Sequence, residues 1–203
     1  MPQPSATKER SYDGDYMAAG KLAEEVCLEF VKRNPKTVGV EDTRNLRVLQ
    51  EADVDCIVHL MDGQLFLAEI KSDRHLGVSG NVLFELLRIN HTCREDRALV
   101  LGWTFRSPAK WLLYYSPTRK SIYMARFADL RAVFQRYSRE VRKGLRLDIV
   151  PTDSLKSTVN ALVPWERCQA AFKVYDVTDL AEEFEQRQPA IRTGFENETL
   201  APV

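Results

Sequence analysis

The sequence predicts an α/β fold in which a central mixed β-sheet is flanked by helices. Three observations carry the prediction. Two long stretches, one near the N-terminus and one past the middle of the chain, repeat apolar residues at helical spacing. Between them lie short runs rich in β-branched and large apolar residues, punctuated by Gly and Pro. The chain's 203 residues, 44% hydrophobic and 29% charged, suffice for one sizeable core and are short for two independent ones.

Residues 1–15, MPQPSATKERSYDGD, are polar and turn-rich and read as a flexible arm, so a single domain is expected from Tyr16 to Arg187. From Met17, MAAGKLAEEVCLEFVKR places Ala19, Leu22, Ala23, Val26 and Phe30 on one side of a helical wheel. It ends on Lys32 and Arg33, where positive charge complements the helix dipole. ADVDCIVHLM and QLFLAEIKS flank Met61-Asp62-Gly63, and Asp-Gly between apolar runs signals a β-hairpin. After SDRHLGVSGN, the run VLFELLRI is too short for its own period to separate strand from helix, and is read as a strand. ALVLGWTF, WLLYYS and SIYMAR, separated by Ser107-Pro108 and Ser116-Pro117, add neighbouring strands to a mixed or partly antiparallel sheet.

FADLRAVFQRYSREVRKG then returns to helical spacing at Phe127, Leu130, Val133, Phe134 and Val141 and stops at Gly144, a suitable C-cap. LDIVPTDS, NALVPWERC and FKVYDVTDLAEEF read as short strands or loops, with a terminal helix opened by Thr178 or Asp179. Residues 188–203 carry little apolar material to offset their ordering entropy and are expected to be a disordered acidic tail.

Charge and composition narrow the function classes. No stretch approaches the apolar length a bilayer needs, and the N-terminus has charges and prolines where a signal peptide has its apolar segment. A cytoplasmic protein without membrane partners is therefore expected. Cys27, Cys56, Cys93 and Cys168 form no CxxC pair, which argues against a zinc knuckle or a disulfide scaffold. A formal net charge of zero counts against holding polyanions by bulk electrostatics. Locally, RAVFQRYSREVRKGLR (residues 131–146) carries six basic residues and one acidic one, a stretch that could track a phosphate backbone through Arg139 and Lys143 or serve only as a solvated helix face.

The informative segment is Asp55, the Asp-Gly turn, and Glu69-Ile70-Lys71. Alternate residues of a strand share a face, so Glu69 and Lys71 project together, while Ile70 points into the core and offers its carbonyl on the charged side. If residues 53–60 pair antiparallel with 64–71, Asp55 comes to lie nearly opposite Glu69. Two carboxylates so placed repel each other. A hard divalent cation, Mg2+ or Mn2+, relieves that repulsion while keeping several of its waters.

A helix bearing GKLAE, then VDCIV, a turn, and AEIKSD resembles the PD-(D/E)XK nuclease superfamily. Its members share a helix glutamate, a strand aspartate and an E-x-K on the next strand. Carried over position by position, these fall on Glu24, Asp55, Glu69 and Lys71. SGNVLFELL, followed by LGWTF, WLLYYS and SIYMARF, is similar to small single-domain members in which the strand after E-x-K follows a Gly-Asn turn. The likeness covers roughly residues 16–137. Val54 stands where the family has a proline. The resemblance implies a restriction-endonuclease-like core, Asp55, Glu69 and the Ile70 carbonyl as metal ligands, and Mg2+-dependent hydrolysis of a phosphodiester. The expected partner is nucleic acid, DNA in the first instance, cut by an endonuclease. Cleaving both strands of a duplex takes two such centres, so a homodimer is expected.

Alternatives stay open at this point. Asp53 competes with Asp55 as the strand aspartate, and Glu25 competes with Glu24 on the helix. His75 and Asn81 are candidates for an outer shell or for phosphate contacts, with Asp73 and Arg74 on the same rim, although ordinary loop chemistry is the commoner reason for such residues; Glu85 is a further candidate ligand or outer-shell group if residues 82–89 form a strand. The aromatic residues of the strands are assigned to the core. The alternative function is a catalytically silent module of the same fold that binds nucleic acid or a protein.

Overall fold

The computed structural model describes residues 12–90, 99–141, 144–153 and 156–187. Most of the predicted arm (1–11), the predicted tail (188–203), and His91, Cys93, Arg142 and Lys143 lie outside the described residues.

Helix α1 spans Tyr12–Lys32 and starts a turn earlier than the predicted Tyr16. The chain continues through β1 (Thr37–Asp42) and a short helix α2 (Arg47–Glu51) into the hairpin, β2 (Cys56–Leu60) and β3 (Leu65–Ser72). β4 (Asn81–Asn90), β5 (Leu99–Leu101) and a helical turn α3 (Trp103–Arg106) precede β6 (Trp111–Ser116), β7 (Ser121–Arg126) and helix α4 (Phe127–Val141). The last part holds β8 (Leu147–Asp153), β9 (Lys156–Pro164), a short helix α5 (Trp165–Cys168), β10 (Phe172–Asp176) and helix α6 (Thr178–Arg187).

The central sheet has six strands in the order β1-β2-β3-β6-β7-β10. It is mixed, because β3 and β6 run parallel while every other neighbouring pair is antiparallel. Strand alternation gives it two buried faces. Cys56, Val58, Ala68, Ile70, Leu113 and Tyr115 pack with Leu22, Val26 and Cys27 of α1 and with Leu180 of α6. On the other face Leu112, Tyr114, Tyr123 and Ala125 pack with Trp103, Phe127, Leu130 and Phe134 of α3 and α4. A central mixed sheet flanked by helices is the architecture expected, with helix, strand entry and E-x-K strand following one another in the anticipated order.

Two expectations are corrected. β4 is a strand, as read, but it leaves the central sheet for a second, four-stranded antiparallel one ordered β5-β4-β9-β8. A parallel β3–β6 pair needs a long crossover, and β4, β5 and α3 are that crossover, so the strand beside β3 is β6. The run ALVLGWTF is also not one strand. It breaks at Gly102, whose N–H donates to the Leu86 carbonyl at 2.8 Å and where a Cβ would collide with the Glu85 backbone. Helix α6 opens at Thr178 as expected, but the side chain that caps it is Asp176, which accepts from the Thr178 N–H at 2.9 Å.

Candidate metal centre and its cleft

Ala68 and Ile70 are buried under α1, so Glu69 and Lys71 leave β3 together on its other face. The hairpin register sets Cys56 against Ala68, which places Asp55, one residue before β2, against Glu69. The Asp55 N–H donates to the Ala68 carbonyl at 2.9 Å. Past that bond the Ile70 N–H donates to the Asp55 carboxylate Oδ2 at 2.7 Å instead of to a strand partner. A residue's N–H and C=O point the same way in an extended strand, so the Ile70 carbonyl faces that side too.

Glu69 is 1% exposed. One carboxylate oxygen, Oε1, pairs with Lys71 Nζ, and the other, Oε2, is buried without a hydrogen-bond partner. Burial pushes the Glu69 carboxyl up to about 7; the Lys71 ammonium pulls it down, and the Asp55 and Asp53 carboxylates add to the rise. For Lys71, burial works against the charge, but Glu69 and Asp55 outweigh it and hold the ammonium above its ordinary range.

Beside this group opens a cavity of about 410 Å³, lined among others by Gly20, Glu24, Ile70, Lys71, Asp73 and Glu85. Glu24 projects from α1 and accepts from Arg44 Nη1 at 2.6 Å. Glu85 Oε1 accepts from Arg88 Nε at 2.7 Å and from the Trp103 N–H at 3.2 Å. Asp73 accepts from the Tyr114 hydroxyl at 3.1 Å, and burial holds that phenol well above its ordinary range, with Asp73 adding to the shift. His75 stands on the exposed rim.

The candidates therefore divide. Asp55, Glu69, Ile70 and Lys71 come together, and Glu24, Glu85 and His75 line the adjoining cavity. Asn81 does not line that cavity; its amide donates to the Ser79 carbonyl at 3.0 Å and closes its own turn. Arg139 is exposed in the last turn of α4, away from those residues, and Lys143 lies outside the described residues. Asp53 does not share a strand face with Asp55. Its backbone is left-handed, with φ of 54°, and its carboxylate is held by Arg106 Nη2 at 2.5 Å and Arg88 Nη2 at 3.4 Å.

A divalent cation fits the chemistry of this donor set. The unpartnered Glu69 oxygen, the Asp55 carboxylate and the Ile70 carbonyl are hard oxygen donors. Among the described residues no three His, Cys, Asp or Glu side chains form a ready-made metal-holding cluster. Arg44, Arg88 and Arg106 surround the site, and the sequence does not place them there. The contacts of Arg44 with Glu24 and of Arg88 and Arg106 with Asp53 join segments distant in sequence, so no local spacing announces them.

No family model matches the chain, and no curated protein matches it significantly. Among solved structures, a bacterial homing endonuclease is similar at 15% identity, over 56% of this chain and 70% of that one, with a TM-score of 0.42. A likeness so distant leaves the activity to be inferred from the site. No helix of the described residues is long and apolar enough to cross a membrane.

Proposed function

We propose that the protein is a divalent-metal-dependent nuclease that hydrolyses phosphodiester bonds, acting on DNA as an endonuclease. The observation that carries it is the Glu69 Oε2 atom, buried without a partner beside the Asp55 carboxylate and the Lys71 ammonium. A buried carboxylate oxygen without a donor is costly unless something compensates it.

Asp55, Glu69 and the Ile70 carbonyl are the groups that would hold Mg2+ or Mn2+. Such an ion, when bound, lowers the pKa of coordinated water and offsets charge developing on phosphoryl oxygens. Lys71 holds a positive charge next to the carboxylates, where it orients the attacking water or stabilises the negative charge that builds on the phosphoryl oxygens. Glu24, fixed by Arg44, faces the same cavity and positions water on the helix side. Cutting both strands of a duplex takes two such centres, which makes a homodimer the working form.

The test is to incubate wild type and Lys71→Ala with plasmid, single-stranded DNA and RNA in Mg2+ and in Mn2+. Wild type should cleave at least one of them, and Lys71→Ala should be slower by at least about a hundredfold. Binding without cleavage of any of the three would favour the silent module instead. In parallel, Mn2+ should raise the melting temperature of wild type and leave that of Asp55→Asn unmoved.

A further inference from the structure

The second sheet carries apolar side chains farther than the core reaches. Its registers align Leu101 with Leu87, Leu87 with Val159, and Val159 with Ile149. Residues paired directly across antiparallel strands project to one face, so these four form a single row. Phe84 and Ala161 stand on the same face and are buried in the core beneath α4. The face thus begins inside the core and runs out past it. At its outer edges Leu101 is 52% and Ile149 68% exposed, and their strand neighbours Leu99 and Leu147 are 63% and 50% exposed.

The charges of these strands are on the alternate rows. Glu85 and Asp148 pair with Asn160, Arg88 with Thr158, and Lys156 with Asn90, all of which project the other way. Glu85 lines the cleft from that opposite side. The exposed half of the apolar face therefore has no charged residue among the described strand positions.

We propose that this face is a homotypic interface, on which a second copy of the chain stacks its own second sheet about a twofold axis. Among the described strand positions this face has no cation to offer phosphate, which disfavours nucleic acid as its occupant, and a charged partner would lose the hydration of its charges there without gaining partners. A second copy presents the identical uncharged aliphatic row, the self-complementarity that a twofold interface requires. Strand spacing of about 4.8 Å and a rise of about 3.4 Å per residue make the patch roughly 15 Å square. That is the scale of the apolar centre of a standard interface, which buries about 800 Å² per partner and has a polar rim. Stacking on this face leaves the cleft of each copy open. The proposal rests on the second sheet and is independent of the metal centre.

Sedimentation velocity of the full chain over a dilution series, without metal or nucleic acid, tests it. Wild type should sediment as a dimer, and Ile149→Lys and Leu101→Glu as monomers with unchanged far-UV circular dichroism. Should a charge prevent folding, Ile149→Ser is the milder change and should weaken self-association by roughly tenfold. Wild type that stays monomeric at every concentration overturns the proposal, as does a dimer that folded variants leave intact. Because no substrate is present, either result stands apart from success or failure of the cleavage assay.

Discussion

Glu69 sits where burial and charge oppose one another, and this makes the metal-free protein sensitive to pH. Its carboxyl is raised from an ordinary 4.5 to about 7 by burial, against the pull of Lys71. Between those two values the folded protein holds a proton that the unfolded chain has released. Stability from this group is therefore full below about 4.5 and is lost as pH rises through about 7, by about 3 kcal/mol in all. Thermal melts in chelator should show wild type weakening over that range, whereas Glu69→Gln, neutral throughout, should show a much flatter profile; parallel profiles would remove Glu69 as the cause. At this scale the sequence was legible where chemistry is local. The alternation of Glu69, Ile70 and Lys71 and the tight Asp-Gly turn both follow from neighbouring residues, and together they predict Asp55 opposite Glu69. The arginines were not legible: Arg44 meets Glu24 across 20 residues, and Arg88 and Arg106 meet Asp53 across 35 and 53.

Among the elements, the crossover between β3 and β6 couples the site to the second sheet. Asp53, held in left-handed backbone just ahead of β2, takes Arg106 from α3 and Arg88 from β4, and its carbonyl accepts from the Ser107 hydroxyl at 2.8 Å. Three segments thus meet at one carboxylate that is 7% exposed. Removing its nearer partner leaves a buried charge with only the longer Arg88 contact. Arg106→Ala should cost about 3 kcal/mol, read as a lower urea midpoint with an unchanged slope. Arg88→Ala, which leaves the closer pair in place, should cost less; equal losses would show that the two contacts do not differ as their distances imply. The helices and the hairpin were predictable because their periodicity is written in consecutive residues. The membership of β4 in a second sheet was not, since an apolar run specifies burial and leaves open which strand it pairs with. Its partner, β9, comes more than sixty residues later.

Across the whole molecule, two cores share one sheet. Leu113, Tyr115 and Ile122 serve the core under α1 and α6, while their strand neighbours Leu112, Tyr114 and Tyr123 serve the core under α3 and α4. Neither core can be lost alone without freeing β6 and β7, and those strands contribute buried residues to the other core as well. One cooperative unit is therefore expected rather than two that melt in turn. The three tryptophans divide unevenly between the cores: Trp103 and Trp165 pack in the second, and Trp111 packs against the first. Fluorescence therefore reports mainly on the α3–α4 side, whereas far-UV circular dichroism reports on every helix, α1 above all because it is the longest. In a urea titration the two signals should fall together at a single midpoint. A fluorescence change that precedes the loss of helical signal would mean that α1 and the central sheet persist without the second layer, and that the shared strands do not bind the two cores into one.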